Sequence, residues 1–327
     1  MILAGDIGGT KTNLALFEVL QGKLMMRETR SYPSHEFTSL SAVLESFRKD
    51  CPEKYTAAAF GIAGPVVNGH CHLTNLGWEM DAKDIQTQLG IREVELMNDL
   101  QAMSYGTLHL GENEKVRLQE GEVQLHGSIA VIAAGTGLGE GALVWDGRQY
   151  RAIASEGGHS DFSPRNVLES DLLKFLAEKF GHVSWERILS GPGIFSLYEF
   201  FRRRSADPEP TWLRDAIRSG DPAAAVSRAG MEGKDRVCSD ALDLFVSLYG
   251  AEAGNLALKF LGNGGVFIGG GIAPKILAKM RSGRFMESFS GKGRFNSMLQ
   301  RISVSVILND RIALFGAAHV AQLLAAD

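Results

Sequence analysis

Ile129-Ala130-Val131-Ile132-Ala133-Ala134-Gly135-Thr136-Gly137-Leu138-Gly139-Glu140-Gly141-Ala142-Leu143-Val144-Trp145 is an apolar run, a glycine turn and a second apolar run. Short β-prone segments on either side of such a turn predict strand, tight loop, strand. Glycine lets the backbone turn sharply and bring its N–H groups close to a ligand. A concave row of N–H groups binds anions, so this is a candidate phosphate loop.

The same design opens the chain, in Ile2-Leu3-Ala4-Gly5-Asp6-Ile7-Gly8-Gly9-Thr10-Lys11-Thr12-Asn13-Leu14-Ala15-Leu16-Phe17. A shift of 130 residues lays Gly5 on Gly135 and Gly9 on Gly139, with an apolar strand after each. Two like units this far apart suggest two related lobes, each offering a loop to a ligand between them.

The 327 residues suit about two domains. A net charge of −4 gives no electrostatic reason to expect nucleic acid or an anionic membrane as partner. Glycine is abundant, 38 residues, and clusters at turns rather than in low-complexity tracts. Cys51, Cys71 and Cys238 are odd in number and without CxxC spacing, which argues against a disulfide framework or a cysteine zinc site. With no signal-peptide pattern at the start and no long apolar run, the expected location is the cytoplasm.

Periodicity predicts a third strand at Leu24–Tyr32, an amphipathic helix at Thr38–Asp50, a buried strand at Thr56–Pro65 and a hairpin around Asn68-Gly69. A helix at Asp81–Leu89 and a strand at Val94–Met97 follow, ending in Asn98-Asp99 before a helix at Leu100–Leu108. Later come helices at Leu168–Phe180, Ile194–Arg203 and Ser239–Leu261, a strand at Val266–Ile268 stopped by Gly269-Gly270-Gly271, a helix at Ala273–Met280, a strand at Val304–Leu308 and an Ala-rich helix at Ile312–Leu324. Arg202–Gly233, rich in charge, Pro and Ala, reads as exposed helices and loops.

The glycine turns at Gly5–Thr10, Gly135–Gly139 and Gly269–Gly271 point to a nucleotide. A P-loop does not fit, because Thr10 replaces its required glycine and Asn13–Phe17 alternates as a strand. A dinucleotide fingerprint does not fit either, since Glu140 stands at its third glycine and a strand follows. Asp99 could be a general base, taking a proton from a hydroxyl that attacks a phosphoryl group; equally, Asn98-Asp99 could only cap the helix that follows. Glu156, His159 and Glu186 could line a polar pocket for sugar hydroxyls, or be structural. His70-Cys71-His72 puts two imidazoles on one strand face with no third ligand, which disfavours a metal there.

Taken in order, Gly5-Asp6-Ile7-Gly8-Gly9-Thr10, Asn98-Asp99, Gly135-Thr136-Gly137-Leu138-Gly139, Glu156-Gly157-Gly158-His159, Glu186–Gly193 and Gly265–Ile272 resemble the bacterial glucokinase family, a branch of the superfamily that joins sugar kinases with actin and the heat-shock ATPases. The resemblance spans residue 2 to about 320. It implies an α/β chain with the two-lobed actin-like ATPase (ribonuclease H-like) fold and an active site in the interlobe cleft. The implied division is a small domain, 1–109 plus 300–327, and a large one, 110–299.

The resemblance further implies Asp99 as the base for the glucose 6-hydroxyl, and Asn98, Glu156, His159 and Glu186 on the other hydroxyls. It puts Gly5, Asp6, Ile7, Gly8, Gly9 and Thr10, with Gly135, Thr136 and Gly137, at the ATP phosphates, and Gly269, Gly270 and Gly271 against the adenosine. Asp6 would be an outer-shell partner of Mg²⁺, and the protein a homodimer. Lys11, where many family members carry Asn, and the unplaced segment 202–234 depart from the pattern. The related ROK kinases usually carry a cysteine-rich zinc motif, which has no counterpart between Cys71 and Cys238. Two rival classes share the fold: a sugar-binding regulator has no use for a base at Asp99, and an actin-like ATPase gives no reason for Glu156, His159 and Glu186. Residue types do not separate glucose from other hexoses.

Overall fold

Both glycine hairpins named above form in the computed structural model of the chain, which describes residues 1–326; Asp327, the last residue of the implied small domain, lies outside the described residues. The strands are β1 (Ile2–Ile7), β2 (Lys11–Leu20), β3 (Lys23–Pro33), β4 (Ala57–Ile62), β5 (His70–Leu73), β6 (Trp78–Asp81), β7 (Glu93–Asn98), β8 (Lys115–Gln119), β9 (Ile129–Ala134), β10 (Leu138–Trp145), β11 (Tyr150–Ile153), β12 (Gly265–Gly269) and β13 (Val304–Ile307). The chain divides into two units, one of Met1–Glu114, Asp146–Ala154 and Asn309–Asp327, the other of Lys115–Trp145 and Ser155–Leu308.

In the first unit the sheet order is β3-β2-β1-β4-β7. β1 is antiparallel to β2 and parallel to β4, and β4 is parallel to β7. Alternation sorts the side chains of β1 and β4 onto two faces. Leu3, Ile7, Phe60 and Ile62 join Val43, Phe47 and Trp78 in one core, while Ile2, Ala4, Ala57 and Ala59 join Ala102, Ala317 and Ala321 in another. The alanines of the last helix, Ile312–Ala326, let it press onto the helix Asp99–Gly106. At Gly316 a β-carbon would collide with the Ala102 carbonyl oxygen, and at Gly106 with that of Ile312. The small residues therefore permit a backbone-to-backbone approach that fixes where Asp99 begins its helix.

In the second unit the sheet runs β10-β9-β12-β13-β8. Again an antiparallel hairpin, β9 with β10, is followed by parallel neighbours, β12 and β13. The buried helix Arg236–Phe260 packs across this unit. Its Gly250 and Gly254 lie against the carbonyls of Phe285 and Phe289, which project from the helix Arg284–Ser290.

The repeat is real in topology but its offset differs from the one read on glycines. β1 ends at Ile7 and β2 begins at Lys11; β9 ends at Ala134 and β10 begins at Leu138. The strand ends thus superimpose on a shift of 127, and Gly5 falls inside β1, paired with Leu14 and Phe60. Segment 202–234 also differs from expectation. It contains the helices Thr211–Ser219 and Pro222–Met231, whose Leu213, Val226 and Ala229 are buried in the core. The expected hairpin near Asn68-Gly69 is a tight turn closed by Val67 and His70, and the longer hairpin pairs β5 with β6 across Thr74–Gly77. Among the described residues no helix is long and apolar enough to cross a membrane.

Candidate active site

In the first unit the parallel register puts Asp6 beside Gly61 on β4 and Ile62 beside Asn98 on β7. The carboxyl ends of three adjacent parallel strands thus carry Asp6 and Asn98, the edge where open α/β sheets bind ligands. Asn98 accepts from the Leu100 N–H at 2.9 Å, and its own N–H donates to Gln101 Oε1 at 3.1 Å, reciprocal bonds that start the helix. Its amide also donates to the Gly64 carbonyl at 3.2 Å. Asp99 is the first helical residue, half-buried, and its Oδ1 accepts from Leu100 N–H at 2.8 Å. The cap and the candidate base are therefore both present in the same two residues: Asn98 does most of the capping.

Asp6 accepts from the Asn13 amide at 3.3 Å, and burial pushes its carboxyl above the ordinary value. Gly8, Gly9 and Thr10 form the turn between β1 and β2, closed by the Gly8 N–H on the Lys11 carbonyl at 2.9 Å. Ile7 is fully buried at the end of β1. Gly5 is not in the turn: the Phe60 ring and Leu14 fill the space a side chain would need.

In the second unit Gly135, Thr136 and Gly137 form the β9–β10 turn, with the Gly135 N–H on the Gly137 carbonyl at 2.9 Å. Glu186 reaches this turn, and its Oε2 accepts from Leu138 N–H at 3.0 Å. A β-carbon on Gly137 would stand 2.5 Å from that oxygen, so only glycine leaves room for it. The Glu186 N–H donates to the Gly158 carbonyl at 2.8 Å, which ties the turn Gly157–His159 to the same place. His159 Nδ1 lies 3.9 Å from Glu186 Oε1, and His159 Nε2 4.0 Å from Glu156 Oε2. These separations are beyond hydrogen-bond length. Glu156, His159 and Glu186 thus form one cluster whose polar atoms keep capacity for hydroxyl groups.

The turn also meets a helix. Gly191 N–H donates to the Gly135 carbonyl at 2.8 Å, at the start of the 14-residue helix Gly191–Arg204, capped by Ser190. A helix N-terminus beside a glycine turn favours an anion. Next to it opens a cavity of about 1080 Å³ whose lining includes Gly135, Thr136, Ser227, Arg228, Gly271 and Lys275, a volume suited to a nucleotide-sized ligand. Gly271 is on this wall; Gly269 ends β12, and Gly270, with φ of +82°, lies so close to the Ala134 backbone that a side chain would collide with it. Tyr249, fully buried, accepts from the Ala134 N–H at 3.1 Å and sits 3.3 Å from the Gly269 carbonyl, joining the roots of both glycine turns.

Sequence reasoning missed Ser227, Arg228 and Lys275 as cavity residues. Ser227 and Arg228 lie on the helix Pro222–Met231, signalled locally by the N-cap Asp221 followed by Pro222; Lys275 follows the Gly269–Gly271 turn, but only the glycines there read as ligand-facing. Among the described residues no group of three or more His, Cys, Asp or Glu side chains is arranged to hold a metal ion.

A family model described as Glucokinase matches residues 3–324. A glucokinase of a Nostoc species is 43% identical over 340 aligned residues, covering 99% of each chain. A Synechocystis glucokinase is 42% identical, covering 97% of this chain and 96% of its own. The crystal structure of a glucokinase from an Antarctic psychrotroph superimposes with a TM-score of 0.88 at 32% identity, covering 98% of both chains. The two α/β units have the actin-like fold that these sugar-kinase neighbours share.

Proposed function

Because the chain belongs to the glucokinase family, we propose that it is an ATP-dependent glucokinase. It moves the γ-phosphoryl group of ATP to the 6-hydroxyl of D-glucose, giving glucose 6-phosphate and ADP. The observation that carries this reading is the Glu186 side chain, which joins the glycine turn Gly135–Gly137 to the polar cluster of Glu156 and His159. A phosphate loop and a hydroxyl-binding set held by one carboxylate is the arrangement a sugar kinase requires.

In this reading Asp99 takes the 6-hydroxyl proton as that oxygen attacks phosphorus, while Asn98, Glu156, His159 and Glu186 hold the other hydroxyls. Because the transition state is loose, positioning of the sugar and neutralisation of phosphate charge supply most of the acceleration. The turns at Gly8–Thr10 and Gly135–Gly137 offer the phosphates the N–H groups that do not close them, and Gly271, with Gly269 and Gly270 leading to it, flanks the adenosine in the cavity beside Arg228 and Lys275. Asp6 fits an outer-shell place near Mg²⁺: it is a desolvated carboxyl with one long bond to Asn13, so acceptor capacity remains. Mg²⁺ held there would supply positive charge that offsets the phosphates.

The implied small domain of 1–109 with 300–327, the large domain of 110–299, the homodimer and the cytoplasmic location belong to the same proposal. The test is a panel of hexoses with Mg-ATP, followed by ADP release. Strong preference for glucose supports the reading; glucose binding without ADP release would make the chain a sugar-binding regulator, and preference for another hexose would move the substrate.

A further inference from the structure

Behind the turn Gly157–His159 lies an acidic pair that the proposed reaction does not use. Glu140 on β10 is 1% exposed and Glu252 on the helix Arg236–Phe260 is fully buried. The two carboxyls lie within electrostatic reach of each other. Two buried carboxylates this close repel when both are ionised, which favours a proton on one of them. Glu252 is the better compensated: Lys259 Nζ lies 3.0 Å from Oε1 and the Asn255 amide donates to Oε2 at 2.7 Å. Glu140 has an Oε1 with no hydrogen-bond partner among the described residues. Burial first, then the Glu252 charge, push the Glu140 carboxyl up to about 8, with Lys259 pulling the other way. Burial and the neighbouring carboxyl thus favour the protonated form of Glu140 at neutral pH.

On its other side Glu140 meets the turn. Its Oε2 occupies the space where a Gly157 β-carbon would stand, with Cδ 3.1 Å from that point. The Gly157 N–H is on Ser155 Oγ at 2.9 Å, and its carbonyl accepts from Ser160 N–H and Oγ. Besides its internal bonds the turn is held by the Glu186 N–H on the Gly158 carbonyl and by close approach of Gly158 to the Leu138 carbonyl; under Gly157 the surface is the Glu140 carboxyl.

We propose that Glu140 is a positioning residue for the sugar-binding turn: its carboxyl, paired with that of Glu252, is the seat of Gly157 and so fixes where Glu156 and His159 stand. What the turn binds rests on the glucokinase reading; that Glu140 orders it does not. Loss of the Glu140 proton adds a buried negative charge beside Glu252, and the turn lies directly against it. The sign follows from the raised folded-state value: the ordered turn is fully present below the ordinary carboxyl range and is lost as pH rises through about 8. Three other titratable groups face the pair. The Tyr249 phenol is pushed up by burial and by Glu140 and stays neutral. Lys259 remains paired to Glu252. Lys292, bonded to the Ala251 carbonyl and Asn255 and facing Glu252, is pushed down to about 8 by burial and titrates in the same window.

The experiment compares wild type, Glu140→Gln and Glu140→Ala between pH 6.5 and 9.5. Two readouts are taken: the glucose KM and kcat, and amide-exchange protection at His159, Ser160 and Glu186 in sugar-free protein, corrected for intrinsic exchange. In wild type the KM is expected to rise about tenfold toward the alkaline end, with kcat changing less, and protection at the three amides to fall together. Glu140→Gln keeps size and hydrogen bonding without a titrating proton, so both readouts stay flat while Lys292 still titrates. Glu140→Ala raises KM several-fold at every pH. An alkaline profile of Glu140→Gln that overlays wild type, in KM and in exchange, overturns the proposal and assigns the window to Lys292. If Glu140→Ala does not fold, the Gln comparison decides alone. If glucose is neither bound nor phosphorylated by wild type, the glucokinase reading falls, and the exchange data still decide whether Glu140 orders the turn.

Discussion

Replacing Gly137 by alanine sets two demands on one place. The new methyl would stand 2.5 Å from Glu186 Oε2 and 3.3 Å from its Cδ, so the carboxylate must retreat by about 1 Å to reach ordinary contact. Retreat breaks the bond to Leu138 N–H, which is 3.0 Å long and charge-assisted, a bond of about 1.5–3 kcal/mol. It also shifts the oxygen that faces His159. If the whole of that energy is expressed in sugar binding, the glucose KM rises by about 10- to 150-fold. Glucose titrations in a coupled ADP assay, with calorimetry of glucose binding beside them, measure it. Gly135→Ala is the control, because no atom lies within 4 Å of its would-be β-carbon. It is expected to leave the glucose KM within about twofold and to change the ATP KM, since Gly135 lines the cavity. Equal glucose KM values in wild type and Gly137→Ala, with the variant folded, would show that Glu186 does not hold the sugar, and the assignment would be withdrawn.

Asp99→Asn keeps an Oδ1 acceptor for Leu100 N–H, so the helix start survives; kcat is expected to fall by about 10²- to 10⁴-fold with glucose affinity nearly unchanged, and a loss below tenfold in single-turnover assays removes Asp99 as the base. His319 bonds His109 at 3.0 Å, and burial with the His109 charge pushes it down to about 4. Its folded value lies below the unfolded one, so stability present above about pH 6.5 is lost as pH falls toward 4. Calorimetric scans should show Tm declining by several degrees from pH 7 to 5, and a smaller decline in His319→Gln; parallel curves for the two proteins refute the assignment. Gly316→Ala drives a methyl into the Ala102 carbonyl and should cost about 3 kcal/mol in urea titrations; an unchanged midpoint would mean that the two helices do not press together as described.

Strands with clean apolar alternation or unbroken apolar runs were legible because burial is written in them, as in Ile129–Ala134 and Ile2–Ile7. Lys115–Gln119 was not: it is an edge strand with Lys, Arg and Gln, and no residue of it is fully buried. The helix Arg284–Ser290 is short and has only Phe285 and Phe289 as buried apolar residues, too few repeats for a period to show. The offset of 130 came from matching glycines by identity, whereas Gly5 is small to admit Phe60 and Gly135 lies in a turn: one residue type, two physical reasons. At the site, residue types suggested Glu156, His159 and Glu186, but not that Glu186 also holds the Leu138 amide, a contact across 48 positions. Glu140 was read as the residue that spoiled a dinucleotide fingerprint, because its partner Glu252 lies more than a hundred residues away in the chain.

The Tyr249 hydroxyl acts as a spacer. In a regular parallel pair the Ala134 N–H would be satisfied by the neighbouring strand; here a phenol oxygen stands between β9 and β12 just where they release their turns. The two strands are held a fixed distance apart at that end, so the Gly135–Gly137 turn and the Gly269–Gly271 turn inherit a common origin. Any graft that exchanges one of these turns for a longer or differently angled one must keep that gap one hydroxyl wide, or re-aim the other turn as well. The site's tolerance to redesign is thereby set by a residue that no ligand would touch.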